Sequence, residues 1–186
     1  MQRATTVHGG TLSGPTEWSP EKVLLGSGTE VIPNVGNIER IPGLFTEEGR
    51  SGFLVSIKNF QAQYLMMSPG LYSEEHAHDY GFMIFTTGGR WVLCSEGRRC
   101  LMVPGSICSV QEGASMGMEC PFKEAALLLF FLEGGNAVRA KYEEYLKRVS
   151  GRKTAAGEIL TTRIADLPAS HPARVFAERV SSESEV

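Results

Sequence analysis

The sequence predicts an all-β protein, an antiparallel barrel or sandwich with an irregular N-terminal arm and a C-terminal helix. Glycine accounts for 21 of the 186 residues, which favours many tight turns. From residue 53 onward, short strand-like runs follow one another at regular spacing, and Gly, Pro or polar residues separate them. The longest apolar stretch, at 125–132, has the length of one buried strand.

The first segment, residues 1–50, is predicted to be an arm or a set of short edge strands rather than a second domain. Turn-forming residues interrupt it repeatedly, in "SGP", "GSG", "IPNVGN" and "IPG". Such interruptions leave no stretch long enough for a regular core element. We therefore place the start of the barrel at residue 51.

The predicted barrel spans residues 51–135. Its strand-like runs are, in chain order, "FLVSIK", "QAQYLMM", "YGFMIFTT", "RWVLC", "RRCLMV", "ICSV", "SMGMEC" and "EAALLLFFL". Runs of this length, each bounded by turn residues, are typical of antiparallel β architectures.

A helical extension is predicted at 136–180, after the strands end at "EGGN". Asn136 suits a helix N-cap and Gly151 a helix end, with a helical stripe of apolar positions between them. A second short helix is predicted from Ser170 through "HPARVFAERV". The last six residues, 181–186, are predicted to be disordered.

Composition argues against nucleic-acid and membrane partners. The net charge of −3 and pI near 5.8 give no electrostatic reason to bind a polyanion. No apolar run approaches the roughly 18 residues that a membrane span requires. The N-terminus lacks the apolar core of a secretory signal, and the cysteines form no CxxC pair, so we expect a cytoplasmic protein with reduced thiols.

His76 and His78 are the most informative polar residues, because they lie two positions apart at the start of a strand-like run. Alternate residues on a strand point to the same face, so both imidazoles can converge inside a barrel. Neutral imidazole is a ligand for Fe, Zn, Cu and Ni. The pair therefore predicts either a metal site or a polar strand edge.

The residues around this pair resemble the first motif of the cupin family of small β-barrels. That motif is a Gly, five residues, His-x-His, three or four residues, Glu, six residues and a Gly. Gly70, His76, His78, Phe82 and Gly89 reproduce the spacing, with Phe82 at the Glu position.

A second segment resembles the second cupin motif, a Gly, five residues, Pro-x-Gly, two residues, His, three residues and an Asn. Gly105, Gln111, Gly113, Met116 and Cys120 match this spacing. Met116 stands at the His position, Gln111 at the Pro position and Cys120 at the Asn position. The resemblance covers about residues 53–133 and implies a cupin-type, jelly-roll-like barrel.

The resemblance also implies a divalent metal held by His76 and His78, with Fe(II) as the first expectation and Mn, Zn, Ni, Cu or no metal as alternatives. The run "HAHDYGFMIFTTGGRW" looks like cupin dioxygenases that cleave β-diketones or hydroxylated acetophenones with a three-histidine iron. A third ligand has to come from elsewhere here. The candidates are Glu75, Asp79, Glu96, Cys108, Glu112 and Cys120.

Further candidate site residues surround the pair. Tyr80 is a candidate proton donor or orienting group, with a hydrogen bond at the rim as the alternative. Arg90 suits a carboxylate substrate, or is a solvated strand end. The candidates for an apolar substrate lining, which core packing would equally explain, are Phe82, Ile84, Met116 and Met118.

The predicted function is a small-molecule enzyme with a metal in the barrel, of dioxygenase type or a lyase or isomerase. The alternative is a metal-free cupin, either a ligand-binding or sensor module or a histidine-based isomerase, lyase or cyclase. By family analogy a homodimer that uses residues 1–50 is also expected.

Overall fold

Two six-stranded antiparallel sheets share one apolar core, and a separate three-stranded sheet lies in the N-terminal segment. The structure, a computed structural model, describes residues 11–13, 20–133, 144 and 161–182. The strands are β1 (Thr11–Ser13), β2 (Lys22–Gly26), β3 (Thr29–Val31), β4 (Leu44–Phe45), β5 (Gly49–Ile57), β6 (Phe60–Met67), β7 (Leu71–Ser73), β8 (His76–Ala77), β9 (Phe82–Gly88), β10 (Trp91–Ser95), β11 (Arg98–Met102), β12 (Ile107–Val110), β13 (Ser115–Glu119), β14 (Ala126–Glu133) and β15 (Thr161–Arg163).

Helical structure is sparse in the described part of the chain. Helix α1 (Pro172–Ser182) follows two short 3₁₀ turns, Ile38–Arg40 and Ile164–Asp166. The described residues include no helix that is long and apolar enough to cross a membrane.

The chain alternates between the two large sheets, which makes the fold a jelly-roll barrel. One sheet has the order β12-β9-β14-β6-β5-β4, and the other β11-β10-β13-β7-β15 with β8 beside β13. Thus β6 lies in the first sheet, β7 in the second, β9 in the first and β10 in the second. The predicted all-β, cupin-type barrel is confirmed by this topology.

Glycine makes one of these crossings between sheets feasible. Gly89 joins β9 to β10 at φ +69°, a left-handed conformation that side chains rarely adopt. A Cβ at this position would collide with the backbone carbonyl of Ala125. The close approach lets the chain turn out of one sheet directly into the other.

The barrel interior is apolar and draws on both large sheets. Residues directly opposite each other on antiparallel strands project to the same face, so the strand register identifies the inner face. The inner cluster contains Leu65, Ile84 and Leu128 from one sheet and Trp91, Met116 and Met118 from the other.

Segments from both ends of the chain cover the outer faces of the two large sheets. Ile41 of the N-terminal segment packs with Tyr64 and Leu127 on the outside of the first sheet. On the second sheet, Val180 of α1 packs with Val92 and Phe122. Both chain ends thus bury apolar surface that a bare barrel would expose.

The chain ends compare with the predictions as follows. The segment 1–50 does contain short strands, β1 to β4, and β5 begins at Gly49, two residues before the predicted barrel boundary. The predicted short helix near Ser170 is present as α1, which includes Ser181 and Ser182 of the predicted tail. The helix predicted at 136–151 lies outside the described residues except for Glu144, which is helical.

Candidate functional site

His76 is positioned by the two-residue strand β8, which pairs with β13. In this register His76 lies opposite Met116, and Ala77 lies opposite Ser115. Because Met116 belongs to the inner cluster, His76 projects to the inner face as well. His78 follows in the connection to β9, where its carbonyl accepts a hydrogen bond from the Gly113 amide at 2.8 Å.

The two imidazole rings lie side by side, with centroids 4.4 Å apart and planes tilted by 48°. His76 Nδ1 lies 3.1 Å from the carbonyl oxygen of Glu74. A carbonyl only accepts hydrogen bonds, so Nδ1 carries the proton and Nε2 of the neutral ring has the free lone pair. The backbone of Glu74 thereby fixes both the tautomer and the orientation of His76.

His78 is held against the apolar wall of the barrel. Its ring lies edge-on to Phe82, with centroids 4.8 Å apart. Its Nε2 atom is buried and has no hydrogen-bond partner among the described residues. Burial, and then the neighbouring His76, lower the pKa of His78 to about 4, against a smaller raising effect of Asp79. His78 is therefore neutral at neutral pH.

Two glutamines of β6 also belong to the inner face. Gln61 lies opposite Leu132 of β14, and Gln63 lies opposite Phe130. Leu132 in turn faces Phe82 across the β14–β9 register. The exposed fractions of the two glutamines are 2% and 4%. Gln61, Leu132 and Phe82 therefore lie side by side on neighbouring strands, and His78 contacts Phe82.

Ser73 brings a further polar group to the interior from the opposite sheet. It alternates on β7 with Leu71, a member of the inner cluster, and it is 1% exposed. Its Oγ atom, the amide nitrogen of Gln63 and both amide atoms of Gln61 have no hydrogen-bond partner among the described residues. The barrel therefore buries several polar atoms that the described residues do not satisfy.

The sequence-based search missed Gln61, Gln63 and Ser73. The only available signal was in "FQAQYLMM", where two glutamines alternate with strand residues that continue into an apolar face. Without the strand register, that pattern equally fits a strand whose polar face meets solvent.

Glu75, a candidate third metal ligand, is directed away from the histidines. Its carboxylate accepts hydrogen bonds from the Cys94 thiol at 2.8 Å and from the Gly97 amide at 3.0 Å, in the β10–β11 hairpin. Against the raising effect of burial, these bonds lower the pKa of Glu75. Burial and this hydrogen bond raise the pKa of Cys94 to about 12, so it remains a thiol.

The other candidate ligands do not complete a set either. The described part of the chain contains no group of three or more His, Cys, Asp or Glu side chains arranged to hold a metal ion. Catalytic metal sites usually have about three protein ligands. With two imidazoles and no third such ligand among the described residues, the site does not fit a tightly held catalytic metal.

The predicted substrate-lining residues Phe82, Ile84, Met116 and Met118 all belong to the inner cluster. Tyr80 lies at the edge of this region, its ring centroid 6.1 Å from that of Phe82. Burial raises the pKa of Tyr80, with added effects of Asp79 and Glu48, so the phenol stays protonated.

Arg90 lies elsewhere than the sequence analysis suggested. Its guanidinium carbon is 4.3 Å from the ring centroid of Phe122, in the cluster that α1 covers on the outer face. The structure thus brings the apolar candidates and the histidines together and places Arg90 in a different packing environment.

Comparisons with known proteins concern the fold. No family model and no curated protein matches the chain. Among solved structures, a Cupin 2 conserved barrel domain protein from Salinispora arenicola is 18% identical, with a TM-score of 0.48 over 64% of this chain and 99% of that one. An RmlC-like cupin from Shewanella frigidimarina is 16% identical, with a TM-score of 0.43 over 48% of this chain and 79% of that one.

The polyketide cyclase RemF from Streptomyces resistomycificus is 17% identical, with a TM-score of 0.44 over 50% of this chain and 70% of that one. At these identities the likeness does not extend to activity. The all-β, jelly-roll-like barrel is established by this chain's own strand order.

Proposed function

We propose that this protein is a small-molecule enzyme of the cupin type in which the histidine pair transfers protons on a carbonyl compound, without a resident metal. The observation that carries this proposal is the paired arrangement of His76 and His78 at the inner face of an apolar barrel. Barrel interiors with a few polar groups are common sites for small ligands. The reaction class is isomerisation, elimination or cyclisation.

The two histidines have different roles in this proposal. His76 is the proton-transfer group, because its Nδ1–H is fixed on the Glu74 carbonyl and its Nε2 lone pair is free. In the step, the α-carbon–hydrogen bond of a ketone breaks, Nε2 takes the proton, and the electron pair moves to the carbonyl oxygen. The proton then returns to carbon or to that oxygen.

His78 orients the substrate as a neutral ring whose Nε2, unpaired among the described residues, can donate a hydrogen bond to a carbonyl oxygen or, in the other tautomer, accept one from a hydroxyl group. Its low pKa keeps the ring uncharged, and the repulsion between the two rings disfavours a state in which both are protonated. Tyr80, which stays protonated, is placed at the edge of the same region as a hydrogen-bond donor.

A metal-dependent enzyme, such as a dioxygenase that cleaves a carbonyl compound, is the second candidate. One observation favours it: metal-ligating histidines usually donate their second ring N–H to a carbonyl or carboxylate, as His76 does to Glu74. It requires a third ligand that no described His, Cys, Asp or Glu side chain supplies.

The test is deuterium exchange at the α-carbon of simple ketones, hydroxyacetone and 4′-hydroxyacetophenone, followed by NMR in D₂O with and without a metal chelator. We expect exchange that the chelator does not affect and that His76→Gln lowers by about 100-fold or more. Exchange that the chelator abolishes and Fe(II), Mn(II) or Zn(II) restores would support the metal-dependent candidate instead. If the wild type binds ketones without exchanging their protons, the barrel is a binding module.

A further inference from the structure

The inner face of the barrel contains buried polar atoms that have no hydrogen-bond partner among the described residues. They are both amide atoms of Gln61 and the amide nitrogen of Gln63 on one sheet, and the hydroxyl of Ser73 on the other. Leaving a buried hydrogen-bonding group unsatisfied costs about 1–3 kcal/mol, and most buried polar groups in proteins are paired. Leucine or methionine at the two glutamine positions would avoid that cost.

Thr86 shows that this barrel pairs the polar groups that serve its structure. Its side chain is fully buried on the inner face, opposite Leu128, and Oγ1 accepts a hydrogen bond from Trp91 Nε1 at 2.8 Å. The unpaired atoms are therefore not a general property of this interior. Gln61 and Gln63 lie opposite Leu132 and Phe130 of β14, and these two residues adjoin Phe82, which His78 contacts.

We infer that Gln61, Gln63 and Ser73 are the recognition groups for the substrate, and that the substrate is an uncharged ketone or hydroxyketone with an apolar skeleton. The inference rests on the proposed function and adds its substrate class. The amide N–H groups are donors suited to a carbonyl oxygen, which gains negative charge when the α-proton leaves. The inner-cluster residues around them suit an apolar skeleton.

The absence of compensating charge selects against anionic substrates. Glu119, the least exposed carboxylate among the described residues, lies on the outer face of the second sheet and is paired with Arg99. The buried polar residues that the register places on the inner face, Gln61, Gln63, Ser73 and Thr86, are all uncharged. Burying a carboxylate or phosphate beside neutral amides alone would be strongly unfavourable.

Ligand entry requires side chains to move, because the unpaired atoms are sealed from solvent. Met116, opposite His76, suits such rearrangement, since methionine has three rotatable bonds and adapts its shape readily. Binding is thus expected to be accompanied by repacking around Met116.

The test compares two probes of similar shape, the uncharged 4′-hydroxyacetophenone and the anionic 4-hydroxybenzoate, by calorimetric titration. We expect the wild type to bind the ketone at least about tenfold more tightly than the carboxylate, the difference of one good hydrogen bond or more. Q61L/Q63L should lose at least that factor for the ketone while its apo form melts at a higher temperature. His76→Gln should retain ketone binding.

Unchanged ketone affinity in Q61L/Q63L would overturn the recognition role, and equal affinity for both probes, or no binding of the ketone, would overturn the substrate class. The α-proton exchange assay separates this inference from the proposed function. Glutamine-dependent ketone binding without exchange would contradict the enzyme and leave the recognition groups supported. Exchange that depends on the histidines and is unchanged in Q61L/Q63L would support the enzyme and contradict the recognition role of the glutamines.

Discussion

The second sheet buries polar groups on both of its faces, and the two faces differ in whether these groups have hydrogen-bond partners. On the outer face, the Arg99 guanidinium contacts both oxygens of the Glu119 carboxylate, with Nε 3.0 and 3.2 Å from them and Nη2 2.9 Å from Oε1, and Glu75 accepts two hydrogen bonds. On the inner face, the Ser73 hydroxyl and the amide nitrogens of Gln61 and Gln63 on the facing sheet have no hydrogen-bond partner in the described part of the chain.

This contrast distinguishes structural polar groups from groups kept for a ligand. The outer groups satisfy one another beneath the C-terminal helix, where His171 packs edge-on against Tyr72 at 5.2 Å. Burial raises the pKa of Glu119, and its contact with Arg99 opposes that rise. The inner groups have no such compensation within the described chain, and the inference that they bind a substrate depends on this difference.

The largest expected effect comes from breaking the outer pair. Arg99→Met leaves the Glu119 carboxylate buried without its cation, which should cost about 3–5 kcal/mol in the free energy of unfolding. Arg98→Met is the matched control, since Arg98 is exposed and its loss should cost under about 0.5 kcal/mol. Urea denaturation of both variants measures the difference. Equal, small costs would show that the outer pair is not a structural element.

A smaller effect is expected from the titration of His78. Its pKa of about 4 in the folded state lies below the ordinary value of 6.5, so the unfolded chain binds the proton more readily. Stability should therefore fall as the pH drops from 6.5 to 4, and we expect a contribution of about 2 kcal/mol over that range. His78→Gln should remove this part of the slope.

Glu48 provides a control of opposite sign for the same measurement. Burial, and then Glu47, raise its pKa to about 7, so its contribution to stability falls as the pH rises from 4.5 to 7. Glu48→Gln should therefore steepen the acid-side loss that His78→Gln removes. Identical pH profiles for the wild type and His78→Gln would contradict the assignment of a buried neutral imidazole.

The smallest expected effect comes from removing, one at a time, two buried hydroxyl groups of the barrel interior. Thr86→Val removes the acceptor of the Trp91 indole and should cost about 1–2 kcal/mol. Ser73→Ala removes an unpaired hydroxyl and should change stability by less than about 0.5 kcal/mol or increase it. Thermal melts of the two variants suffice. A cost for Ser73→Ala as large as that for Thr86→Val would mean that Ser73 has a structural partner.

Local sequence patterns predicted most of the fold and only part of the candidate site. Turn residues and motif spacing are local, so they predicted the strands from residue 53 onward and the position of the histidine pair at the start of one of them. The environment of Gln61, the outward direction of Glu75 and the packing of Arg90 on Phe122 depend on strands far apart in the chain. Sequence spacing alone does not contain that register.

Several predictions from the sequence remain predictions. A cytoplasmic location, a homodimer through residues 1–50 and the helix at 136–151 depend on partners or residues outside the described structure. The bound metal also remains a prediction, because a third ligand is missing only from the described residues.

The most direct test of the central claim is the metal content of protein purified without chelator or added metal, measured for the wild type and for the double variant His76→Ala/His78→Ala. We expect far less than one transition metal per chain in the wild type, with no further loss in the double variant. Near-stoichiometric metal that disappears in the double variant would contradict a metal-free histidine pair.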